Sequence, residues 1–388
     1  MFLKHYNNID FLRVIFMLGI IIGHTNRVFF PNADFQFSLQ NMCVDAFFII
    51  SGVFLASSID KLQKANAKDV LVRTIYKRAT RLYPTLFFSI CVGILFLFIC
   101  DKEYLHNIKY SLWSSIFLLG GINGFPVIGD SWYVASLFWM SLLISFCLAS
   151  HSYFSKFFYF PMIIFLSVSF MYSSWGGLCL YTTPLVGNWF SAGNIKAVCD
   201  LAIGAEVYYI LPYMQTLYNQ IKNKKLFIFI LEVLCTYLIG CCFTKNGINK
   251  SDYLILAALP ILLLIFLNNR CVLYKFANDK IFSYLGKYIY SIYLMHGFLL
   301  KILNKYFSLE NIVSTYLMTS ILSFIFGILM YYLQKFLFAK LKQILFIPQA
   351  ENSSLNVENP ERERERALPS FIREVINFNF QREQLCHY

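Results

Sequence analysis

The stretch IDFLRVIFMLGIIIGH, Ile9 to His24, is apolar enough to lie in a lipid bilayer, yet it contains Asp10, Arg13 and His24. Arg13 and His24 are eleven positions apart, which on an α-helix brings the second side chain to within roughly 20° of the first. The two side chains therefore share a helix face, about 16 Å apart along the axis. A charged residue in a spanning helix usually faces a protein interior or an aqueous cavity. The stretch predicts a helix that carries a cation near one membrane face and an imidazole deep in a bundle.

The composition of the whole chain agrees with a membrane protein. Of its 388 residues, 58% are hydrophobic and only 14% are charged. The core of a soluble protein does not need so large a share of apolar residues. The net charge of +12 does not indicate a nucleic-acid partner, because the basic residues lie in short segments between apolar runs. In such segments they act as topology signals.

The apolar runs predict an all-α polytopic membrane protein, a bundle of about ten transmembrane helices with both termini cytoplasmic. The segment from Asp60 to Pro84 is the most basic, and its density of Lys and Arg assigns it to the cytoplasmic side. The apolar piece from Leu112 to Leu119 is too short to span and is interpreted as re-entrant or interfacial. We expect residues 1–345 to form one transmembrane domain. Residues 346–388, which contain PERERERALP, are expected to form a flexible, charged cytoplasmic tail.

No metal site or disulfide framework is predicted. The eleven cysteines include no C-x-x-C pair, and a Cys in an apolar run behaves as a small hydrophobe. The sequence also has no H-E-x-x-H, G-x-S-x-G, P-loop or G-x-G-x-x-G motif.

The sequence YKRATRLYP, Tyr76 to Pro84, places Lys77, Arg78 and Arg81 at the start of a predicted span. One interpretation is the ordinary excess of positive charge at the cytoplasmic face. The other is a clamp for phosphate groups, because the guanidinium fork matches phosphate oxygens. Coenzyme A carries such groups and is cytoplasmic, so its nucleotide end would bind at this cluster.

The sequence VDAFFIISG, Val44 to Gly52, contains Asp45 and Ser51 inside an apolar run. Asp45 is either a solvated helix end or a carboxylate that orients an imidazole such as His24. Ser51 can form a hydrogen bond within the bundle, and Gly52 allows close packing of helices.

Two further stretches carry polar candidates. LGKYIYSIYLMHG, Leu285 to Gly297, contains Tyr288, Ser291 and His296, which form either a polar stripe in the bundle or part of a site. Trp132, with Tyr133 beside it, begins the predicted fourth span and is a candidate for the lining of an outer vestibule.

In this order, the motifs resemble those of the acyltransferase family 3 membrane O-acyltransferases. The resemblance covers about residues 6 to 338. It includes the Arg-x10-His of the first helix, VDAFFIISGVFL, KRATRLYP, SWYVASLF and LGKYIYSIYLMHG. It implies transfer of an acyl group, usually acetyl, from cytoplasmic acyl-CoA to a hydroxyl of a cell-surface glycan or lipid-linked sugar. It also implies that Arg13 and His24 are the residues most closely tied to activity, with Arg78 and Arg81 in the basic motif.

These observations predict an integral-membrane O-acyltransferase of the cell membrane, with no permanently bound cofactor and with acetyl-CoA or another acyl-CoA as donor. We expect Arg13, His24 and Asp45 in the catalytic group and Lys77, Arg78 and Arg81 at the donor. The alternative is a transporter or flippase for a glycan precursor or small solute, because buried Arg and His also serve proton-coupled transport.

Overall fold

The computed structural model describes eleven segments of the chain. They are residues 7–31, 39–62, 66–100, 108–119, 131–149, 155–176, 184–186, 190–221, 224–243, 253–307 and 311–345. The chain divides into two units, Met1–Gln334 and Lys335–Tyr388. Residues 335–345 of the second unit are helical. The predicted charged tail lies outside the described residues.

Nearly all of the described residues are helical. The helices are α1 Asn7–Phe29, α2 Leu39–Asp60, α3 Ala67–Cys100, α4 Ile108–Ile116, α5 Trp132–Ala149, α6 Phe160–Trp175, α7 Ala192–Gln220, α8 Lys224–Phe243, α9 Tyr253–Leu267, α10 Tyr274–Ala277, α11 Lys280–Gly286, α12 Ile289–Tyr306 and α13 Ile312–Leu345. One π-helical turn, Ser155–Tyr159, precedes α6, and an antiparallel hairpin pairs β1 Pro184–Val186 with β2 Phe190–Ser191.

Within the described residues, six helices are long and apolar enough to cross a membrane. They cover Asn7–Phe29, Met42–Asp60, Ala67–Phe96, Trp132–Ala149, Phe157–Trp175 and Ile312–Lys340. A helix suits this setting because it satisfies its own backbone hydrogen bonds, which lipid cannot do. The predicted helical membrane protein is therefore confirmed in class, whereas the number of about ten spans and the side of the termini stay predictions. The nine-residue α4 overlaps the piece interpreted as non-spanning.

The closest helix contact joins α2 to α7, which run in the same direction. Asp45 on α2 lies opposite Lys196, Gly52 lies opposite Gly204, and the Tyr208 hydroxyl donates a hydrogen bond of 2.9 Å to Asp60. A β-carbon on Gly52 would overlap the carbonyl oxygen of Leu201 and lie 3.0 Å from the α-carbon of Gly204. Glycine at both positions is what lets the two backbones touch.

A second group of helices surrounds α1. Asp10 packs against Gly286 at the end of α11, and further along α1 the His24 ring faces His296 on α12, so α1 runs in the same direction as the α11–α12 segment. The α13 helix runs opposite to α12, since the Ser291 hydroxyl donates to the Gly327 carbonyl at 2.9 Å, and Tyr288 meets Tyr332.

We expect Gly52→Ala to lower the stability of the bundle. The added methyl group meets backbone atoms that cannot rotate away, and overpacking of this kind costs about 1–3 kcal/mol. The midpoint of thermal unfolding of the purified protein in detergent measures the effect. Gly240→Ala is the matched control, because its added β-carbon meets no atom within 4 Å and alanine favours a helix over glycine by about 1 kcal/mol. Equal midpoints for both variants would contradict the close contact.

Candidate active site

Tyr133, in the first turn of α5, lies at the centre of the polar interior. Its side chain is buried, its hydroxyl is hydrogen-bonded to Ser51, and Arg13, Arg78 and Arg81 act on it electrostatically. Three guanidinium groups from two different helices, α1 and α3, therefore act on one phenol. Such a cluster is suited to binding an anion, because each guanidinium offers several fixed N–H donors.

The position of Arg13 is set by a local ion pair. Its Nη1 atom donates to Asp10 Oδ1 at 2.7 Å, three residues earlier on α1. Asp10 is itself held from the other side by Gly286, since a β-carbon at Gly286 would lie 2.7 Å from the Asp10 Cγ atom. Because Gly286 has no side chain, α11 can pack directly against the Asp10 carboxylate that orients Arg13.

A chain of edge-to-face and tilted ring contacts leads from Tyr133 to the imidazole predicted from the first helix. The centroids of Tyr133 and Tyr293 are 5.3 Å apart, those of Tyr293 and His296 are 5.8 Å apart, and those of His296 and His24 are 5.1 Å apart. The arginine cluster and the two imidazoles are thus joined by aromatic contacts through α5 and α12. Arg13 and His24, on one face of α1, lie at opposite ends of this chain.

The tautomer of His296 follows from its hydrogen bond. Its Nδ1 atom lies 2.6 Å from the backbone carbonyl oxygen of Tyr293, and a carbonyl can only accept, so Nδ1 carries the proton. In the neutral ring this leaves Nε2 as the basic nitrogen. His296 is completely buried, and its ring lies against that of His24 in an edge-to-face arrangement. Two imidazoles in contact can share the work of accepting and passing on a proton.

The structure gives Asp45 a partner that the sequence did not suggest. Its Oδ1 atom pairs with the Lys196 Nζ atom at 2.8 Å, and it also interacts with Asp200. The carboxylate is buried at the α2–α7 contact and is not a solvated helix end. That it orients His24 stays a prediction.

The remaining candidates fall into three groups. Trp132 is buried beside Tyr133, with ring centroids 6.4 Å apart, so it supports the site from one side. Lys77 is exposed on α3, next to other cations. Tyr288 and Ser291 face α13, where their hydroxyls bind Tyr332 and Gly327, so they contribute to helix packing rather than to the ring chain.

Sequence reasoning treated Tyr133 as part of an outer vestibule and the arginines as a separate cluster at the inner face. The structure brings both into one site. Tyr293 and Lys196 were not among the predicted site residues. The signal for Tyr293 was its place three residues before His296 in YLMH, one helical turn away. For Lys196, the signal was that Asp200 follows it by four residues, so that two opposite charges lie at the start of a long apolar helix.

No metal site emerges from the part of the chain that the structure describes, since no three His, Cys, Asp or Glu side chains lie close enough to hold an ion. The arginine cluster instead offers a place for an anionic substrate group. The ring chain offers an apolar, aromatic wall that ends in two imidazoles.

The comparison with known families agrees with the motifs. The profile of a family described as an acyltransferase domain matches residues 6–342, nearly the whole chain. The chain therefore belongs to this family of acyltransferases, acyltransferase family 3, and is a multi-pass membrane protein. Among curated proteins and among solved structures, none matches it.

We expect Tyr133→Phe to lower acyl transfer by about tenfold to a hundredfold. The substitution removes a hydroxyl placed among charged groups, and hydrogen bonds of that kind contribute about 1.5–3 kcal/mol. The rate of acyl-CoA consumption in membranes, at matched protein abundance, measures the effect. Tyr237→Phe is the control, because Tyr237 is 66% exposed on α8. An unchanged rate in Tyr133→Phe would remove its hydroxyl from the site.

Proposed function

We propose that the protein is an O-acyltransferase that moves an acyl group, with acetyl as the expected case, from cytoplasmic acyl-CoA to a hydroxyl of a cell-surface glycan or lipid-linked sugar. The observation that carries the proposal is the continuous connection from the arginine cluster through Tyr133 and Tyr293 to His296 and His24. An anion-binding end and a proton-accepting end are what a reaction between an acyl-CoA and an alcohol requires.

The arginine cluster is proposed to bind the phosphates of the donor. Arg78 is partly buried and Arg81 is exposed on α3, so the two can receive a ligand that arrives from outside the bundle. Arg13 lies further inside, and Lys77 on the surface of α3 adds positive charge at the approach. The pantetheine arm, about half a bilayer long, would then extend along the aromatic wall.

The chemical step is proposed at the imidazole pair. His24 accepts the proton of the acceptor hydroxyl as the oxygen attacks the thioester carbonyl. The bond between the acyl carbon and sulfur breaks, a bond to oxygen forms, and the proton passes to the leaving thiolate to give free coenzyme A. An imidazole suits this task because it changes charge near neutral pH. His296 lies where it can hold or relay that proton.

The remaining expectations belong to the same proposal. We infer that the protein lies in the cell membrane with about ten spans and both termini cytoplasmic. In that topology the basic segment around Arg78 faces the pool of acyl-CoA. The imidazoles then lie toward the opposite face, where surface glycans are found.

A transporter or flippase for a glycan precursor is the second candidate. It is favoured by one observation, the buried ion pair of Lys196 and Asp45, because intramembrane charges of this kind often occur in transport proteins. Release of free coenzyme A in membrane vesicles separates the two functions, since a transporter gives flux of solute without acyl transfer.

His24→Ala is expected to abolish base-labile acetate on the surface glycans of cells that express the protein. Removal of a general base lowers a reaction by about a hundredfold to ten-thousandfold. Acetate released by mild alkali from purified glycans measures the product, at equal membrane abundance of the variants. Arg27→Ala is the matched control, because Arg27 is an exposed cation on the same helix. Equal acetate in wild type and His24→Ala would exclude His24 from the chemistry.

Arg78→Ala is expected to raise the KM for acyl-CoA by about tenfold, as the loss of a charge-assisted contact to phosphate does, with a smaller effect on kcat. Kinetics of coenzyme A release in vesicles, over a range of acetyl-CoA concentrations, give both constants. Arg73→Ala tests whether any cation on α3 has the same effect, since Arg73 is exposed on the same helix. A KM that is unchanged in Arg78→Ala would refute the donor site.

A further inference from the structure

Three charged side chains are buried together between α2 and α7. Asp45 is 1% exposed, Lys196 is 2% exposed and Asp200 is completely buried. The Lys196 Nζ atom lies 2.8 Å from Asp45 Oδ1, and Asp200 is four residues along α7 from Lys196, on the same helix face. α2 is one of the helices long and apolar enough to cross a membrane, and α7 packs along it. In such a setting a buried charge without compensation costs much free energy.

The charges of the three side chains do not balance if all are ionised. One ammonium group would face two carboxylates, and a net negative charge would remain in the interior. Within the described residues, no donor group hydrogen-bonds to either oxygen of the Asp200 carboxyl. The Asp200 side chain instead interacts with that of Asp45 through a side-chain hydrogen bond. Two carboxyl groups can form such a bond only when one of them carries a proton.

Among the described residues, Lys196 is the one cation that acts on the Asp200 carboxyl. Cys43 on α2 and Cys199 on α7 are the titratable neighbours that interact with these carboxylates. The sequences of α5, α6 and α9 contain no charged residue. On α1, Asp10 and Arg13 pair with each other, His24 lies against His296, and Arg27 is exposed.

We propose that Asp45, Lys196 and Asp200 form an intramembrane site that binds a single proton, held by Asp200 and donated to Asp45, with Asp45 ionised against Lys196. The bound proton makes the cluster neutral and so holds α2 against α7. Ser51, the hydrogen-bond partner of Tyr133, lies on α2 six positions beyond Asp45. The proton-binding site and the arginine cluster are therefore connected by less than two turns of one helix. The proposal does not depend on which reaction the protein catalyses.

Infrared spectroscopy of the purified protein in detergent tests for the proton directly. Wild-type protein at neutral pH is expected to show the carbonyl-stretch band of a buried carboxylic acid, with a shift to lower frequency in D₂O. Asp200→Asn is expected to lack that band and to keep the thermal midpoint of the wild type, because an amide replaces a protonated carboxyl group without a change in charge. A band that is unaltered by Asp200→Asn would overturn the proposal.

Removal of the lysine gives an independent test. Lys196→Met is expected to lower the thermal midpoint at neutral pH by roughly 5–10 °C, as loss of one partner of a buried ion pair does. Acidification should restore much of the loss, because it protonates the second carboxylate. The double variant Lys196→Met/Asp45→Asn should restore it at neutral pH without acid.

The pattern of these variants separates a proton-binding site from a simple ion pair. If both carboxylates were ionised, Asp200→Asn would change the stability of the wild type at neutral pH, and no protonated carboxyl band would depend on Asp200. If Lys196→Met does not fold, the double variant and Asp200→Asn still decide the question. A double variant that is no more stable than Lys196→Met would also overturn the proposal.

Discussion

The contact between α2 and α7 is the constraint on which the rest of the bundle depends. Gly52 and Gly204 bring the two backbones together, and no side chain larger than hydrogen fits at either position. In a bilayer the solvent is as apolar as the side chains, so helix association depends on close packing and on polar groups between helices. The α2–α7 contact has both, because the buried cluster of Asp45, Lys196 and Asp200 lies beside the glycines.

The candidate active site is built outward from this contact. α2 presents Ser51 to Tyr133 on α5, and arginines from α1 and α3 act electrostatically on Tyr133. From there the ring contacts continue to α12 and back to α1 at His24. Five helices therefore contribute to one path of polar and aromatic groups. A small shift of α2 would move the hydroxyl that positions Tyr133, without any change in the residues of the path itself.

The geometry of the candidate site matches the needs of the proposed acyl-transfer reaction at two points. The proposed acyl-CoA donor carries phosphate groups, and the three arginines beside the aromatic wall are the groups proposed to bind them. It also needs a group that accepts a proton from an alcohol. The Nδ1 hydrogen bond of His296 to its own helix fixes the tautomer of one imidazole, and its ring contact with His24 places the second imidazole beside it.

The sequence by itself determined which residues share a helix face and which segments can lie in lipid. Arg13 and His24 could be paired on one face because helical periodicity is a local property, and the helical membrane class followed from the length and composition of the apolar runs. Partners from distant segments were decided only by the tertiary structure. The association of Tyr133 with three arginines, of His24 with His296 and of Asp45 with Lys196 depends on how helices pack, and packing is governed by contacts between residues that are far apart in the chain. For the same reason, Asp45 appeared in the sequence as one acidic residue in an apolar run, and its buried cation became visible only when α7 lay against α2.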